Sequence, residues 1–566
     1  MFTALVAASP PVAAPDGHIT KPSAANDIIP SSKESYSLLR QLSLRYLQCP
    51  GPRIGPLVAS SATMRLLSAA AVLCSLLTTS ISGVYAAAAN DTTYASSRLV
   101  LPNDFRPPKV FKNINLLRNI NLEKGYVRET VNVVVENTDK VPQERYFLPF
   151  AADVIDNVGG LEVRDKNAPS NGKFEVKATE LLKASPNQYF VIHFPEALKP
   201  SSQITLSISY YILQALDPLP AAIEQAAKQY LTYSFSAYAP AAYTTDNQKT
   251  KIKFPSSDVP DYTETSGLKT GADPERQGST YTYGPYQTSK VLPGTTGPII
   301  TVRYEFTKPV ITCSLLERDI EVSHWGGNLA TEERLWLRND GAKLSKHFSR
   351  VGWAMKSYQN LPTSAMSELR IPLRPGSVDA YFIDDIGNVS TSRFRPGLNK
   401  REALLELKPR YPVFGGWKYS FRIGWNNALS PFLRKVGGES YVLKVPFLEG
   451  PKVPEGVQYE KVELRVILPE GAQDVKYELV GGVGMPYMVE SEIGLRKTFM
   501  DTVGRTVLTL RTTNVADEAR EGQIIVTYDY PALAILRKPL TIATGLFSVF
   551  VTVWLVGNLD VSIKKR

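Results

Sequence analysis

Apolar and polar residues alternate with period two through most of the chain between about residue 100 and residue 530. Val131, Val133 and Val135 alternate with Thr130, Asn132 and Glu136, and Ile204, Leu206, Ile208 and Tyr210 alternate with Thr205, Ser207 and Ser209. Further on, Trp417, Tyr419, Phe421, Ile423 and Trp425 alternate with Lys418, Ser420, Arg422 and Gly424, and Val462, Leu464, Val466 and Leu468 alternate with Glu463, Arg465 and Ile467. Successive side chains of a strand point to opposite faces, so these runs predict sheets with one buried face. Helical periodicity is sparse. Pro220 to Leu231 is one candidate, with proline at an N-terminal position and an alanine-rich run behind it. From Asn247 to Pro293 the chain is polar and rich in Gly, Thr, Ser and Tyr, which predicts a long loop.

The pattern also echoes itself. The segment Leu116–Leu122 precedes the strand around Val133, and Leu315–Val322 precedes Leu335-Trp336-Leu337 and a turn at Asn339-Asp340-Gly341. Gln203 to Tyr210 and Gln523 to Tyr528 read as similar closing strands. Two related β-rich domains, residues 94–305 and 306–530, account for the echo.

The two ends behave differently. Leu540 to Leu559 contains no charged residue, and ~20 residues at ~1.5 Å each match the ~30 Å hydrocarbon core of a bilayer, which predicts a transmembrane helix. Met64-Arg65, the apolar run Leu66–Leu77 and the small-residue site Val84-Tyr85-Ala86 have the layout of a signal peptide, residues 64–86. Residues 1–63, rich in Pro, Ser and Ala, are read as an extension, either a mispredicted start upstream of Met64 or a disordered segment. These features predict a mainly β protein: two tandem β-rich luminal domains, one C-terminal transmembrane helix (540–559) and a cytosolic tail (560–566), a single-pass type I arrangement.

Composition adds modest constraints. With 43% hydrophobic and 21% charged residues the chain is that of a folded protein. Its net charge of +10 is spread along the sequence rather than gathered in blocks, which predicts a solvated basic surface and no nucleic-acid partner. Cys49 and Cys74 fall in segments expected to be absent from the mature protein, which leaves Cys313 alone and no intrachain disulfide. Its apolar neighbours Val310 and Ile311 predict burial.

Candidate chemistry is thin. HExxH, GxSxG, the phosphate-binding Walker loop and a GxGxxG opening a helix are all missing. Beyond residue 87 the histidines are His193, His324 and His347. His193 lies in an apolar strand and reads as structural. Asp384 and Asp385 are a candidate carboxylate pair for acid–base or metal chemistry, and neighbours on a strand diverge, so they do not converge on one ion without a turn. No catalytic, cofactor-binding or metal-binding residue is assigned. Two sequons, Asn90-Asp91-Thr92 and Asn388-Val389-Ser390, make Asn388 and Asn90 possible N-glycosylation sites.

The surroundings of Asn388 carry a resemblance. Phe382-Ile383-Asp384-Asp385-Ile386-Gly387-Asn388-Val389-Ser390-Thr391-Ser392 and Pro412-Val413-Phe414-Gly415-Gly416-Trp417-Lys418 closely resemble the ribophorin I family, subunit 1 of the oligosaccharyltransferase. Other stretches agree with the family in order: His324-Trp325-Gly326, Gly341-Ala342-Lys343-Leu344, Phe348-Ser349-Arg350 and Asp501-Thr502-Val503-Gly504-Arg505. The family often has a Tyr-Arg-Asp-Glu type sequence where this chain has Phe382-Ile383-Asp384-Asp385, and residues 1–63 have no counterpart. The resemblance implies an endoplasmic reticulum membrane complex that transfers a preassembled oligosaccharide from dolichyl diphosphate to Asn in Asn-x-Ser/Thr of nascent polypeptides. It implies that chemistry and a divalent metal belong to a many-spanning partner with a Trp-Trp-Asp motif, a motif this chain lacks. The chain itself is then a subunit without a cofactor, whose partners are that catalytic subunit, the other complex subunits, the nascent polypeptide and the membrane. The alternative is a free-standing luminal receptor for peptide or glycan.

Overall fold

The computed structural model describes residues 99–559 apart from 103–104, 182–186, 266–267, 270, 360, 398–400, 482–483 and 499–500. The expected extension, signal peptide, Asn90 and cytosolic tail lie outside the described residues.

Two seven-stranded sheets organise the body. The first contains β1 (Phe111–Asn121), β2 (Val127–Asn137), β3 (Val158–Asp165), β4 (Gln203–Ile212), β5 (Thr244–Lys253), β6 (Glu275–Gln277) and β7 (Thr280–Gln287), in the order β3-β4-β2-β1-β5-β7-β6. The second contains β8 (Ile311–Ser323), β9 (Asn328–Asn339), β10 (Val378–Asp384), β11 (Lys418–Ala428), β12 (Val457–Glu470), β13 (Glu490–Arg496) and β14 (Arg505–Ala516), in the order β10-β11-β9-β8-β12-β14-β13. The order is the same in both. So is the direction of each pairing: all neighbours are antiparallel except β1 with β5 and β8 with β12, which are parallel.

The duplication extends to the smaller sheets. Gln143–Ala151, Asn187–Leu198 and Glu175–Leu181 pair in that order in the first half, as Leu369–Leu373, Ala403–Leu407 and Arg393–Arg395 do in the second. Asp217–Pro218, Tyr230–Ser236, Ile299–Glu305 and Asp261–Tyr262 pair as Leu433–Gly437, Ser440–Pro446, Gln523–Asp529 and Gln473–Val480 do. In each half the inward face of the large sheet and residues of both smaller sheets build one apolar core, the first within residues 111–310 and the second within 311–530. Cys313 is buried in the second.

Register fixes the correspondence residue by residue. The bulge that interrupts β1–β2 between Asn113 and Asn115 recurs in β8–β9 between Cys313 and Leu315, so Leu116, Arg118 and Ile120 match Leu316, Arg318 and Ile320. Asn137 and Asn339 end β2 and β9 alike. Each accepts the backbone N–H two residues on, and each donates its amide to two carbonyls, Val141 and Leu198 in one case and Ser364 and Val413 in the other. The sequence echo therefore holds at its start and fails at its close. The partner of Gln203–Ile212 is Lys418–Ala428, while Gln523–Asp529 matches Ile299–Glu305.

Two local expectations are also corrected. Pro220 to Leu231 is not helical: Ala222–Ile223 pairs in parallel with Lys343–Leu344 of the other half, and Tyr230 opens a strand. Gln225, within the same segment, bonds the backbone of Ser349 in both directions, so distant partners override local helix propensity there. Asn247 to Pro293 is not one loop, because it holds most of β5 and all of β6 and β7. The inward positions of β5 include buried Gln248 and Thr250, which hides the period.

A second set of contacts joins the halves near β4 and β14. Lys124 lies 3.2 Å from Asp517 and 3.3 Å from Glu518, Tyr126 donates to Asp517 at 2.6 Å, and Tyr211 donates to Glu518 at 2.5 Å. Tyr126, Tyr211, Leu213 and Ala516 pack together beside these ions.

Two helices longer than a turn complete the described chain: α1 (Arg350–Tyr358), whose Ser349 hydroxyl caps the Gly352 N–H, and α2 (Ala532–Gly557). An 18-residue stretch of α2 has a mean hydropathy of 2.0, with none of it buried, and the helix is long and apolar enough to cross a membrane. It starts eight residues before the apolar run at Leu540, directly after Pro531, and carries Arg537, Lys538 and Pro539 within it.

Candidate interaction surface around the Asn388 turn

β10 is the edge strand of the second large sheet, and its end at Asp384 opens a tight turn to Asn388. Asp384 and Gly387 exchange backbone hydrogen bonds at 3.1 Å each way, and Gly387 adopts φ +139°, a conformation that favours glycine. The buried Asp384 carboxylate organises this turn. Its Oδ1 accepts the N–H groups of Ile386 and Gly387, each at 3.0 Å, and its Oδ2 accepts the Tyr419 hydroxyl at 3.2 Å. Arg410 completes the arrangement by bonding Asp384 and the carbonyls of Gly387 and Asn388. The Arg410 hydrogen bond is the main cause that holds the Asp384 carboxyl below the usual range, with the two backbone donors assisting.

Asp385, the first residue past β10, accepts from the Ser420 hydroxyl, so the two carboxylates take separate partners although both line one groove. Both carboxylates are committed to protein donors. Among the described residues no group of three or more His, Cys, Asp or Glu side chains is placed to hold a metal ion. His193 lies on Asn187–Leu198 opposite Arg145 and Glu175, and His324 meets the Tyr528 hydroxyl at 2.7 Å. His347 is exposed.

The same turn forms one wall of a groove of about 470 Å³. Its other wall is β9, with Trp336 37% exposed and Arg338 bonded to Asp340 at 2.7 Å and to Glu460. Tyr411, 40% exposed, closes one side and packs edge-on against Trp417 and Tyr419 at 5.9 and 5.6 Å. Trp425 is buried in the sheet core, and Trp417 is half-buried among Phe348, Tyr411 and Phe414. The groove thus offers two aromatic surfaces and a rim of paired charges, which suits binding rather than proton transfer. Asn388 and Ser390 are both exposed on the turn beside it. Sequence reasoning singled out Asp384, Asp385 and Asn388 but missed Arg410 and Trp336, whose roles depend on the register between β9, β11 and the edge strand.

The described chain is thus a duplicated β body continued by one apolar helix that fits a single membrane span, with an exposed sequon on a turn beside an aromatic groove. A family model described as Ribophorin I matches residues 111–557, and the chain belongs to the ribophorin I family. Curated relatives include dolichyl-diphosphooligosaccharide--protein glycosyltransferase subunit 1 of Schizosaccharomyces pombe, 30% identical over 79% of this chain and 95% of that protein. Subunit 1B of Arabidopsis thaliana is 30% identical over 80% of this chain and 94% of its own length. Subunit 1 of Caenorhabditis elegans is 29% identical over 80% and 73% respectively. A solved structure, that of native yeast LTA4 hydrolase, covers 35% of this chain at 12% identity with a TM-score of 0.21, which carries no argument.

Proposed function

We propose that this chain is a non-catalytic subunit of the oligosaccharyltransferase complex, which transfers a preassembled oligosaccharide from dolichyl diphosphate to Asn in Asn-x-Ser/Thr of nascent polypeptides. The single observation that carries this reading is the family match across residues 111–557, joined to relatives named as subunit 1 of that transferase. In this reading the chain is a single-pass type I protein of the endoplasmic reticulum membrane, and α2 packs on partner spans. A many-spanning partner subunit holds the divalent metal and does the chemistry. The commitment of Asp384 and Asp385 to protein donors agrees with a supporting role. The groove beside Trp336 and Tyr411 is the part of the surface best suited to an extended acceptor polypeptide, since aromatic faces bind backbone without reading sequence. Asn388 and Asn90 are the proposed sites of the chain's own glycosylation.

The test is affinity capture of the full chain from membranes in mild detergent. The captured material is assayed for oligosaccharide transfer to an Asn-x-Thr peptide, and mass spectrometry identifies what travels with it. Transfer activity together with a many-spanning partner supports the subunit reading. An inactive chain recovered intact and alone overturns it in favour of a free-standing receptor.

A further inference from the structure

The start of α2 is bound into the second half rather than hung from it. Proline has no N–H, so Pro539 leaves the carbonyl of Ile535, four residues earlier, without its helical donor. The Trp325 indole N–H takes that place at 2.8 Å. Around the same two turns, Glu439 accepts the Ala532 N–H at 3.1 Å and Asp501 meets Lys538 at 2.8 Å. A Cβ built on Gly471 would approach Ala534 to 2.8 Å, which shows how closely β12's end approaches the helix. Ala534 and Ile535 pack against the second core.

These bonds fix how far the body stands from the apolar run. Ile535 precedes Leu540 by five residues and Lys538 by two, about 7.5 Å and about 3 Å along the axis at ~1.5 Å per residue. A headgroup layer is ~5–7 Å thick on each side of the hydrocarbon. Val503, 39% exposed and two residues from Asp501, is thus held at headgroup depth, and Trp325, 62% exposed, at the outer edge of the headgroup layer. Arg434 and Lys435, both exposed, lie on the hairpin whose turn residue Glu439 holds Ala532. An exposed indole with cationic neighbours is the composition of a membrane interface, where an amphipathic ring has an apolar side and a wet one.

We propose that the end of the second half bearing Trp325 and Val503 rests in the headgroup layer of the bilayer that α2 crosses, with glycerophospholipid headgroups as its ligand. The body then stands upright on the membrane, and the two halves keep one orientation to it. This inference rests on α2 being a span, and its test separates the two ideas. The full chain, with Cys49 and Cys74 replaced by serine and Cys313 buried, receives single cysteines for fluorophore labelling at Trp325, Val503, Leu292 or Val549. Each labelled chain is reconstituted in phosphatidylcholine vesicles carrying a nitroxide on the headgroup or deep in the acyl chain. The expected result is headgroup quenching several-fold stronger at residues 325 and 503 than at Leu292, which is 76% exposed in the first half, with acyl-chain quenching at residue 549. Quenching at 325 and 503 no stronger than at 292, with 549 quenched, overturns the proposal alone. Absence of quenching at 549 overturns the span and the proposal with it. Val503→Cys leaves the indole bond intact, so the result does not depend on the Trp325→Cys variant folding.

Discussion

In the first half, Arg118 lies buried on β1 and grips Glu129 with two nitrogens, at 2.9 and 2.7 Å, while Tyr210 and Tyr233 donate to the same carboxylate at 2.6 and 2.9 Å. In the second half, Arg318 occupies the matching place on β8 but meets Glu333 directly across the register and Glu449 at 2.6 Å. Glu129 corresponds to Thr331, one same-face step along the strand. The arginine has thus stayed in place while its acid has moved. A buried cation tolerates any carboxylate within reach, whereas leaving it unpaired costs several kcal/mol, so position is constrained for one partner and only proximity for the other.

The outer faces differ more. Asn119 and Asn121 of β1 match Asp319 and Glu321 of β8, and Thr130 and Asn132 of β2 match Glu332 and Arg334 of β9. The first face is largely neutral amide and hydroxyl. The second is a ladder in which Arg465 meets Asp319 and, at 3.6 Å, Glu317, Arg505 meets Glu321, and Arg511 meets Glu492 at 2.7 Å.

The largest expected effect separates the two buried arginines. Arg118→Met leaves Glu129 with two tyrosine donors, whereas Arg318→Met takes the shared cation from two buried acids at once, leaving Glu333 with the Gly450 N–H and Glu449 with the half-exposed Arg374 at 3.8 Å. Each should cost about 3–5 kcal/mol by the usual figure for breaking a buried pair, and Arg318→Met should cost more. Denaturant unfolding of the full chain in detergent measures both, and equal losses would remove the distinction drawn between the halves.

A smaller effect appears in acid. Burial pushes the Glu129 carboxyl up, but Arg118 and the two tyrosine hydroxyls outweigh it and hold the group below the usual range. A depressed folded value contributes stability that is complete above the unfolded pKa of ~4.3 and is lost as pH falls through the folded value. Glu129→Gln should therefore lower Tm at neutral pH and flatten the acid limb below about pH 5, where the native chain loses this contribution. An acid limb as steep in the variant as in the native chain would show that other carboxylates govern it.

How much of this was legible beforehand depends on what each residue hides. The alternation at Val131–Val135 and at Tyr419–Trp425 was readable because the inward positions are apolar. Leu116 and Leu316 marked the duplication because β1 and β8 keep both composition and bulge. The closing strands misled, since Ile-rich alternation is common to β4 and to Gln523–Asp529 and carries no register. β5 was invisible because Gln248 and Thr250 face inward, with Gln248 accepting the Ala239 N–H at 3.0 Å. Arg118 and Arg318 could not be read as core, because arginine is nearly always solvated and its buried partners lie on other strands. The groove beside Asn388 escaped for a similar reason, as strand pairing alone brings Trp336 and Arg410 to one groove.

The smallest effect tests the outer faces. Arg334 on β9 is 3.1 Å from Glu332 and 3.7 Å from Glu317, with its side chain 45% exposed, so its attractions are screened by water and salt. Asn132, its counterpart, has no charge to lose. Arg334→Ala should cost less than about 1 kcal/mol at low salt and less still at high salt, while Asn132→Ala should stay within about 0.5 kcal/mol at both. Thermal unfolding of the two variants across a salt series measures this, with the native chain as reference. A salt-independent loss at Arg334 would mean that the ladder acts through packing of the arginine stems along the sheet. In that case the charged face would be a structural substitute for the apolar Leu117 of the first half, which matches Glu317, rather than a solvated surface.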